Sequence, residues 1–182
     1  MSDHGSPPSP YRIARQTTVE SCERLLAIEP LLVGADEDLL AVAHKAVRQP
    51  QTRVLGVTDT EGRLIGILPV VRLAEDVVVR VDPGALMVDL RDAADVARFG
   101  GAVRARTVRD AMLPPAAVRP DATLAEAFRL MHKRHLSGLY VVTEDGSPSG
   151  YLDLLELTVL YLKALEAHGV ATDPGQPATG SG

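Results

Sequence analysis

Two carboxylates three residues apart, Asp153 and Glu156, are the part of this 182-residue sequence best suited to chemistry. Such a pair can act as an acid and a base. The same spacing is also that of a helix cap followed by an acid in the first turn, which satisfies free amides and suits the helix dipole. Both readings stand at the level of residues. Catalysis would need a metal or a further catalytic group, and the sequence offers neither beside them. His132 and His135 have a helical i,i+3 spacing, but Lys133 and Arg134 between them mark a solvated face rather than a metal pair. Cys22 is the only cysteine and reads as a small core residue. Gly62 and Gly66 punctuate a hairpin and do not form a phosphate loop. No Ser/His/Asp or Cys/His arrangement is present, so the expectation is that the chain is not an enzyme, with no catalytic and no metal-binding residues.

The elements that must position these residues come in two copies. Pro30, Val33, Asp36 and Leu39 fall on Pro115, Val118, Asp121 and Leu124, and Gly62–Leu68 falls on Gly146–Leu152 after a one-residue slip. A repeat of this kind outranks local readings. Each copy reads extended segment, helix, strand, turn, strand, helix. The expected fold is α/β (α+β): two tandem βαββα repeats packed with pseudo-twofold symmetry, with a helical spacer between them.

In chain order, the spacing of apolar residues predicts a helix over Thr17–Ile28, opened by a capping box of Thr17 and Glu20 and ended by Pro30. A strand at Leu31–Val33 follows, then a helix capped by Asp38 and running to Arg48. Val54–Thr58 and Leu64–Leu68 form a hairpin. Pro69 suits the first turn of the next helix, and Val77–Val81, rich in β-branched residues, reads as a strand. Asp82-Pro-Gly is a turn, and Asp89–Phe99 reads as a short helix stopped by Gly100-Gly101. In the second copy Thr107 caps a turn through Met112, and Thr123 and Glu126 form a capping box for a helix to Arg134. Strands follow at Leu139–Thr143 and Gly150–Leu152. Asp153 opens the final helix, which Gly169 ends. The resulting divisions are 1–12 and 169–182 as disordered ends, 17–81 as the first repeat, 82–106 as the spacer and 107–168 as the second repeat.

Composition narrows the partners. A net charge of -5 without a basic face argues against nucleic acid, and an aromatic content of 3% without Trp leaves no stacking platform for single strands. One cysteine excludes a disulfide framework or a thiolate metal cage. No apolar run is long enough to span a bilayer, and the Ser/Pro-rich start is not a signal peptide. The expectation is a cytoplasmic protein that binds neither membrane nor nucleic acid.

The pattern of extended valine, Pro-Asp-x-Thr cap, Ala-rich helix, Leu-x-Val-Val strand, acid-x-Gly turn and Gly-h-h-x-x-x-acid resembles the cystathionine-β-synthase (CBS) domain. The resemblance spans about residues 19–81 and 107–163, and two such copies resemble the regulatory pair called a Bateman module, here of a stand-alone type. It implies a flat dimeric disc that binds adenosine-containing ligands (AMP, ADP, ATP or S-adenosylmethionine) between the repeats and reports to another protein.

The resemblance also implies site residues. Ala117, Val118, Leu139 and Tyr140 would build the slot for the base, and Glu156 would take the place of the ribose-binding aspartate, one methylene longer. Asp153 stands where the family commonly has Thr or Ser, and Gly138 where it often has Arg or His. A carboxylate about 4 Å from a phosphate costs on the order of 4 kcal/mol at an effective dielectric near 20. So either no phosphate sits there or a cation such as Mg2+ bridges it to Asp153. In the first repeat Arg53 keeps the phosphate-type position, while Pro69 and Arg72 replace the hydroxyl and the acid. A guanidinium only donates hydrogen bonds, so that cleft is degenerate as a ribose site. Arg53 or Arg72 could instead reach a ligand held by the second copy.

The final helix carries Leu154, Leu155, Leu157, Val159, Leu160, Tyr161, Leu162 and Leu165, more than one packing stripe needs. The surplus predicts a partner helix, most simply from a second copy in a twofold homodimer, with covering by the spacer as the alternative. The reading is a non-catalytic sensor without a resident cofactor, which binds an adenosine ligand mainly through the second repeat and signals to an unidentified effector protein by a change in repeat orientation. The alternative is a dimerising adaptor that binds no ligand.

Overall fold

The computed structural model describes residues 15–23, 28–82 and 92–167. The first half contains α1 (Val19–Glu23), β1 (Leu32–Gly34), α2 (Leu39–Arg48), β2 (Val54–Thr58), β3 (Leu64–Pro69) and α3 (Val70–Val81). Then come α4 (Ala93–Arg104), α5 (Val108–Ala111), β4 (Ala117–Val118), α6 (Leu124–Arg134), β5 (Gly138–Val142), β6 (Pro148–Asp153) and α7 (Leu154–Ala167). The fold class is as expected: mixed α and β, with two three-stranded sheets ordered β1-β2-β3 and β4-β5-β6.

The two sheets match rung for rung. In each, the short first strand runs parallel to the second, with Val33 opposite Val57 and Val118 opposite Val141. In each, the hairpin is antiparallel, from Val54 opposite Pro69 and from Gly138 opposite Asp153. Both shift register at the same place, after Val57 and after Val141. Their turns place Gly62 and Gly146 at φ 80° and 86°, a left-handed conformation that glycine adopts without a Cβ penalty.

Helix starts follow the caps written in the sequence. The Asp38 carboxylate accepts from Leu40 N at 2.9 Å and Ala41 N at 3.2 Å. Thr123 and Glu126 form a reciprocal capping box on α6, and Thr107 and Asp110 do the same on α5.

The lead segments cross over between halves. Val19 N donates to Ala122 O at 2.8 Å, Glu20 N to Pro120 O at 2.9 Å and Leu124 N to Thr17 O at 3.0 Å. Reciprocally, Val108 N donates to Glu37 O at 2.9 Å, Arg109 N to Ala35 O at 2.7 Å and Leu39 N to Arg106 O at 3.0 Å. Packing follows the same exchange. Val19 and Cys22 are buried with Leu124, Met131, Leu139 and Leu152, whereas Val108 and Ala111 are buried with Val33, Leu39, Val42 and Leu68. Each fully buried aliphatic side chain stabilises by about 1.5–3 kcal/mol, so neither sheet has a complete core without the other half's lead helix.

Three sequence expectations change. Val77–Val81 belongs to α3 and is not a strand: Leu73, Asp76 and Val79 are buried along one helical face, and Asp82 N closes the helix on Val78 O. Packing against α2 and α4 overrides the β-branched preference. Gly100 and Gly101 lie inside α4, which is capped at its start by Asp92, whose side chain accepts from Asp95 N, and at its end by Ala105. A helical glycine costs about 1 kcal/mol but does not forbid the helix, and packing on α3 sustains it. α1 begins at Val19, one residue later than a Thr17 cap requires. Residues 24–27 and 83–91, the beginning of the expected spacer helix at Asp89, and Gly169 with both chain ends lie outside the described residues.

Candidate functional site

A cleft of about 620 Å3 lies between the halves. Its far wall is α7 and the end of β6, which supply Asp153, Leu155, Glu156, Val159, Leu160 and Lys163. Its near wall is the segment before β2, with Pro50, Gln51 and Arg53, together with Ile28. Asp153 is the last residue of β6 and sits at the start of α7. Its Oδ1 accepts from Leu155 N at 2.8 Å and from Glu156 N at 3.3 Å. The capping reading of Asp153 is therefore realised. Its second oxygen, Oδ2, is buried and accepts no hydrogen bond. The nearest cation is Arg53, with Nε 3.8 Å away and its side chain about half exposed.

The near wall is held rigidly. Thr52, fully buried, donates from Oγ1 to Glu29 O at 2.8 Å, and Gln49 Nε2 donates to the same carbonyl at 2.6 Å. Arg53 N donates to Tyr151 Oη at 3.3 Å. The Tyr140 hydroxyl, 2.9 Å from Leu31 O and 3.1 Å from Val54 O, donates to that carbonyl pair. The two tyrosine rings meet edge to face with centroids 5.4 Å apart, a favourable arrangement. Both phenols therefore tie first-half backbone to the second sheet. Burial raises the pKa of each; for Tyr151, burial and then the Asp153 charge push it up to about 12. Both remain protonated hydrogen-bonding groups.

A second cavity, of about 520 Å3, adjoins the first through Ile28 and Gln51 and adds Lys45 and Arg48. Lys45 is ion-paired with Glu37. Among the described residues no group of three or more His, Cys, Asp or Glu side chains is placed to hold a metal, and no helix is long and apolar enough to cross a membrane.

Of the residues singled out in the sequence, the structure brings together Arg53, Asp153 and Glu156. The slot residues lie elsewhere. Leu139 and Tyr140 are fully buried in the core, so they present no face to a ligand. Gly138 is covered by Tyr151: a Cβ there would stand 2.1 Å from the phenol oxygen. Ala117 and Val118 are half-buried on β4, paired with β5, and do not line the cleft. Arg72 is on α3, outside this cleft, with Nε buried and without a hydrogen-bond partner. His132 and His135 are exposed at the end of α6. Sequence reasoning missed Ile28, Pro50, Gln51 and Lys163. The one linear signal is that residues 50–53 lead into β2, whose partner sheet was legible but whose facing helix was not.

Comparison with known proteins places this geometry. Residues 108–162 match the CBS domain family model. Among solved structures, a CBS-domain-containing protein from Thermotoga maritima is 22% identical over 81% of this chain and 95% of its own, with TM-score 0.65. CBSX2 in complex with AMP is 21% identical over 81% of this chain and 97% of its own, with TM-score 0.61. A CBS-domain pair in complex with 5′-methylthioadenosine and S-adenosyl-L-methionine is 15% identical over 81% of this chain and 98% of its own, with TM-score 0.58. None of the curated proteins compared matches the chain.

Proposed function

From a chain that carries a CBS domain over residues 108–162 and has the fold of a CBS-domain pair, we propose a non-catalytic sensor that binds an adenosine-containing ligand (AMP, ADP, ATP or S-adenosylmethionine) in the cleft between α7 and residues 50–53. The convergence of Arg53 from the first half with Asp153 and Glu156 from the second carries this reading. An adenosine site needs an acceptor for the ribose diol. Glu156 supplies one, at about 1.5–3 kcal/mol for each charged hydrogen bond. Ile28, Leu155, Val159 and Leu160 supply apolar wall for the base. The sites present in similar structures that hold AMP or S-adenosylmethionine support the same class of ligand.

Signalling follows from the shared wall. A ligand that bridges residues 50–53 and α7 favours one relative position of the halves, 17–81 and 107–168, and an effector protein reads the shift. The exposed face of α7 carries Leu155, Val159 and Leu162, and that of α3 carries Val71 and Val78. From the matched rungs, Val71 corresponds to Leu155 and Val78 to Leu162. Apolar residues at equivalent positions of the two repeats suit a twofold homodimer, which needs a self-complementary surface. That surface also favours the second reading, a dimerising adaptor without a ligand.

Thermal shift of the full chain with AMP, ADP, ATP, S-adenosylmethionine and adenosine separates the two. The sensor predicts a raised midpoint with at least one ligand and loss of that rise in Glu156→Ala. No rise with any ligand leaves the adaptor. Native mass spectrometry tests the dimer in either case.

A further inference from the structure

We propose that the cleft selects, within the adenosine class, a ligand whose 5′ end presents a hydrogen-bond donor or positive charge, and excludes a 5′-phosphate, with Asp153 as the discriminating residue. This rests on the adenosine reading of the same cleft. Helix N-termini bind phosphate through free amides, but the first amides of α7 are already used: Leu155 N and Glu156 N donate to Asp153 Oδ1 at 2.8 and 3.3 Å. The anion site of this helix is filled by the protein's own carboxylate.

The other oxygen states what is needed instead. Asp153 is 2% exposed and lines the cleft, and its Oδ2 is buried and accepts no hydrogen bond. A buried carboxylate oxygen demands a donor or a positive charge beside it, and a phosphate dianion has neither to give. Arg53 Nε, at 3.8 Å, lies beyond hydrogen-bonding distance. Were its guanidinium to turn to a phosphate, Asp153 would lose its neighbouring cation and remain buried. A sulfonium or ammonium group beside Oδ2 offsets the buried negative charge in place of Arg53, the ammonium by donating hydrogen bonds as well. The lining charges agree: Asp153 and Glu156 are balanced by Arg53 and Lys163, leaving no surplus positive charge for a phosphate.

Calorimetric titration of the full chain with adenosine, AMP and S-adenosylmethionine, each with and without Mg2+, tests this. S-adenosylmethionine is expected to bind at least about tenfold more tightly than AMP under both conditions, the size of one charged hydrogen bond. Asp153→Asn keeps a capping oxygen but turns the second acceptor into a donor, and is expected to remove or reverse the preference. Should that variant fail to fold, Arg53→Met, which strips Asp153 of its neighbouring cation, is expected to tighten S-adenosylmethionine. AMP bound as tightly as S-adenosylmethionine, with or without Mg2+, overturns the proposal while leaving the adenosine reading in place. Weaker S-adenosylmethionine binding by Arg53→Met also overturns it. No heat with any of the three ligands overturns both.

Discussion

The two repeats share a strand register down to the irregular rung, yet the helices that leave their hairpins carry opposite chemistry. In the second repeat β6 ends in Asp153, which caps α7, and Glu156 and Leu160 line the cleft. At the matching rungs of the first repeat stand Pro69, without a side-chain cap, then Arg72 and the buried Asp76. An acid has become a base at one position and a leucine an acid at the other. The sheet tolerates both because the hairpin and its turn glycine are specified by backbone pairing, not by what the following helix presents. Fold and site are therefore separable here: the first repeat keeps the architecture and lends Arg53 to a cleft whose acceptors come from the second.

The strongest break of this comparison is at Tyr140, the rung matching Gly56. A Cβ on Gly56 would stand 2.7 Å from Tyr140 Cζ, so one repeat's missing side chain is the other's space. Tyr140→Ala is expected to cost about 3–5 kcal/mol in chemical denaturation, and Gly56→Ala about 1–3 kcal/mol through overpacking. Equal and small effects would mean the halves are not interlocked there.

A smaller contrast comes at the helix starts. Asp153→Ala removes a cap and is expected to cost about 1 kcal/mol. Pro69→Ala removes none and is expected to change stability only by the added freedom of the unfolded chain, about 0.4–1 kcal/mol. If loss of the two capping bonds to Leu155 N and Glu156 N is the dominant effect, a serine at 153 restores most of the loss.

The smallest expected effect is one of pH. Burial raises the Asp76 carboxyl above the usual aspartate value, aided by Glu75 and opposed by Arg72. A raised acid is destabilising while charged, so its contribution becomes more favourable as pH falls through the raised value and levels off below the ordinary one. Asp38, Asp110 and Glu126 are lowered, first by backbone amides, and act in the opposite sense, losing stability as pH falls. Asp76→Asn is therefore expected to stabilise at neutral pH, with the gain shrinking toward acid. A gain independent of pH would assign the effect to packing.

Much of this was legible in the sequence where the cause is local. Asp38, Thr107 and Thr123 announce their helices because a cap is decided within four residues, and the turn glycines announce the hairpins. The exchange of α1 and α5 was not legible, since Val19 and Val108 would be apolar at the same spacing whichever half they packed on. Val77–Val81 misled because β-branching favours a strand until a neighbouring helix gives the valines a face. At the site, Asp153, Glu156 and Arg53 followed from their places in the repeat. Tyr140 was misplaced because the pattern fixes its rung but not the size of what faces it. Ile28 and residues 50–51 were missed because their role depends on the opposite half.

The central claim is one shared cleft per chain, with its basic wall from one repeat and its acidic wall from the other. The most direct test is calorimetric stoichiometry of S-adenosylmethionine binding to the full chain, repeated with Glu156→Ala. The account predicts one equivalent per chain, lost in the variant. Two equivalents per chain, or one that survives the variant, would contradict it.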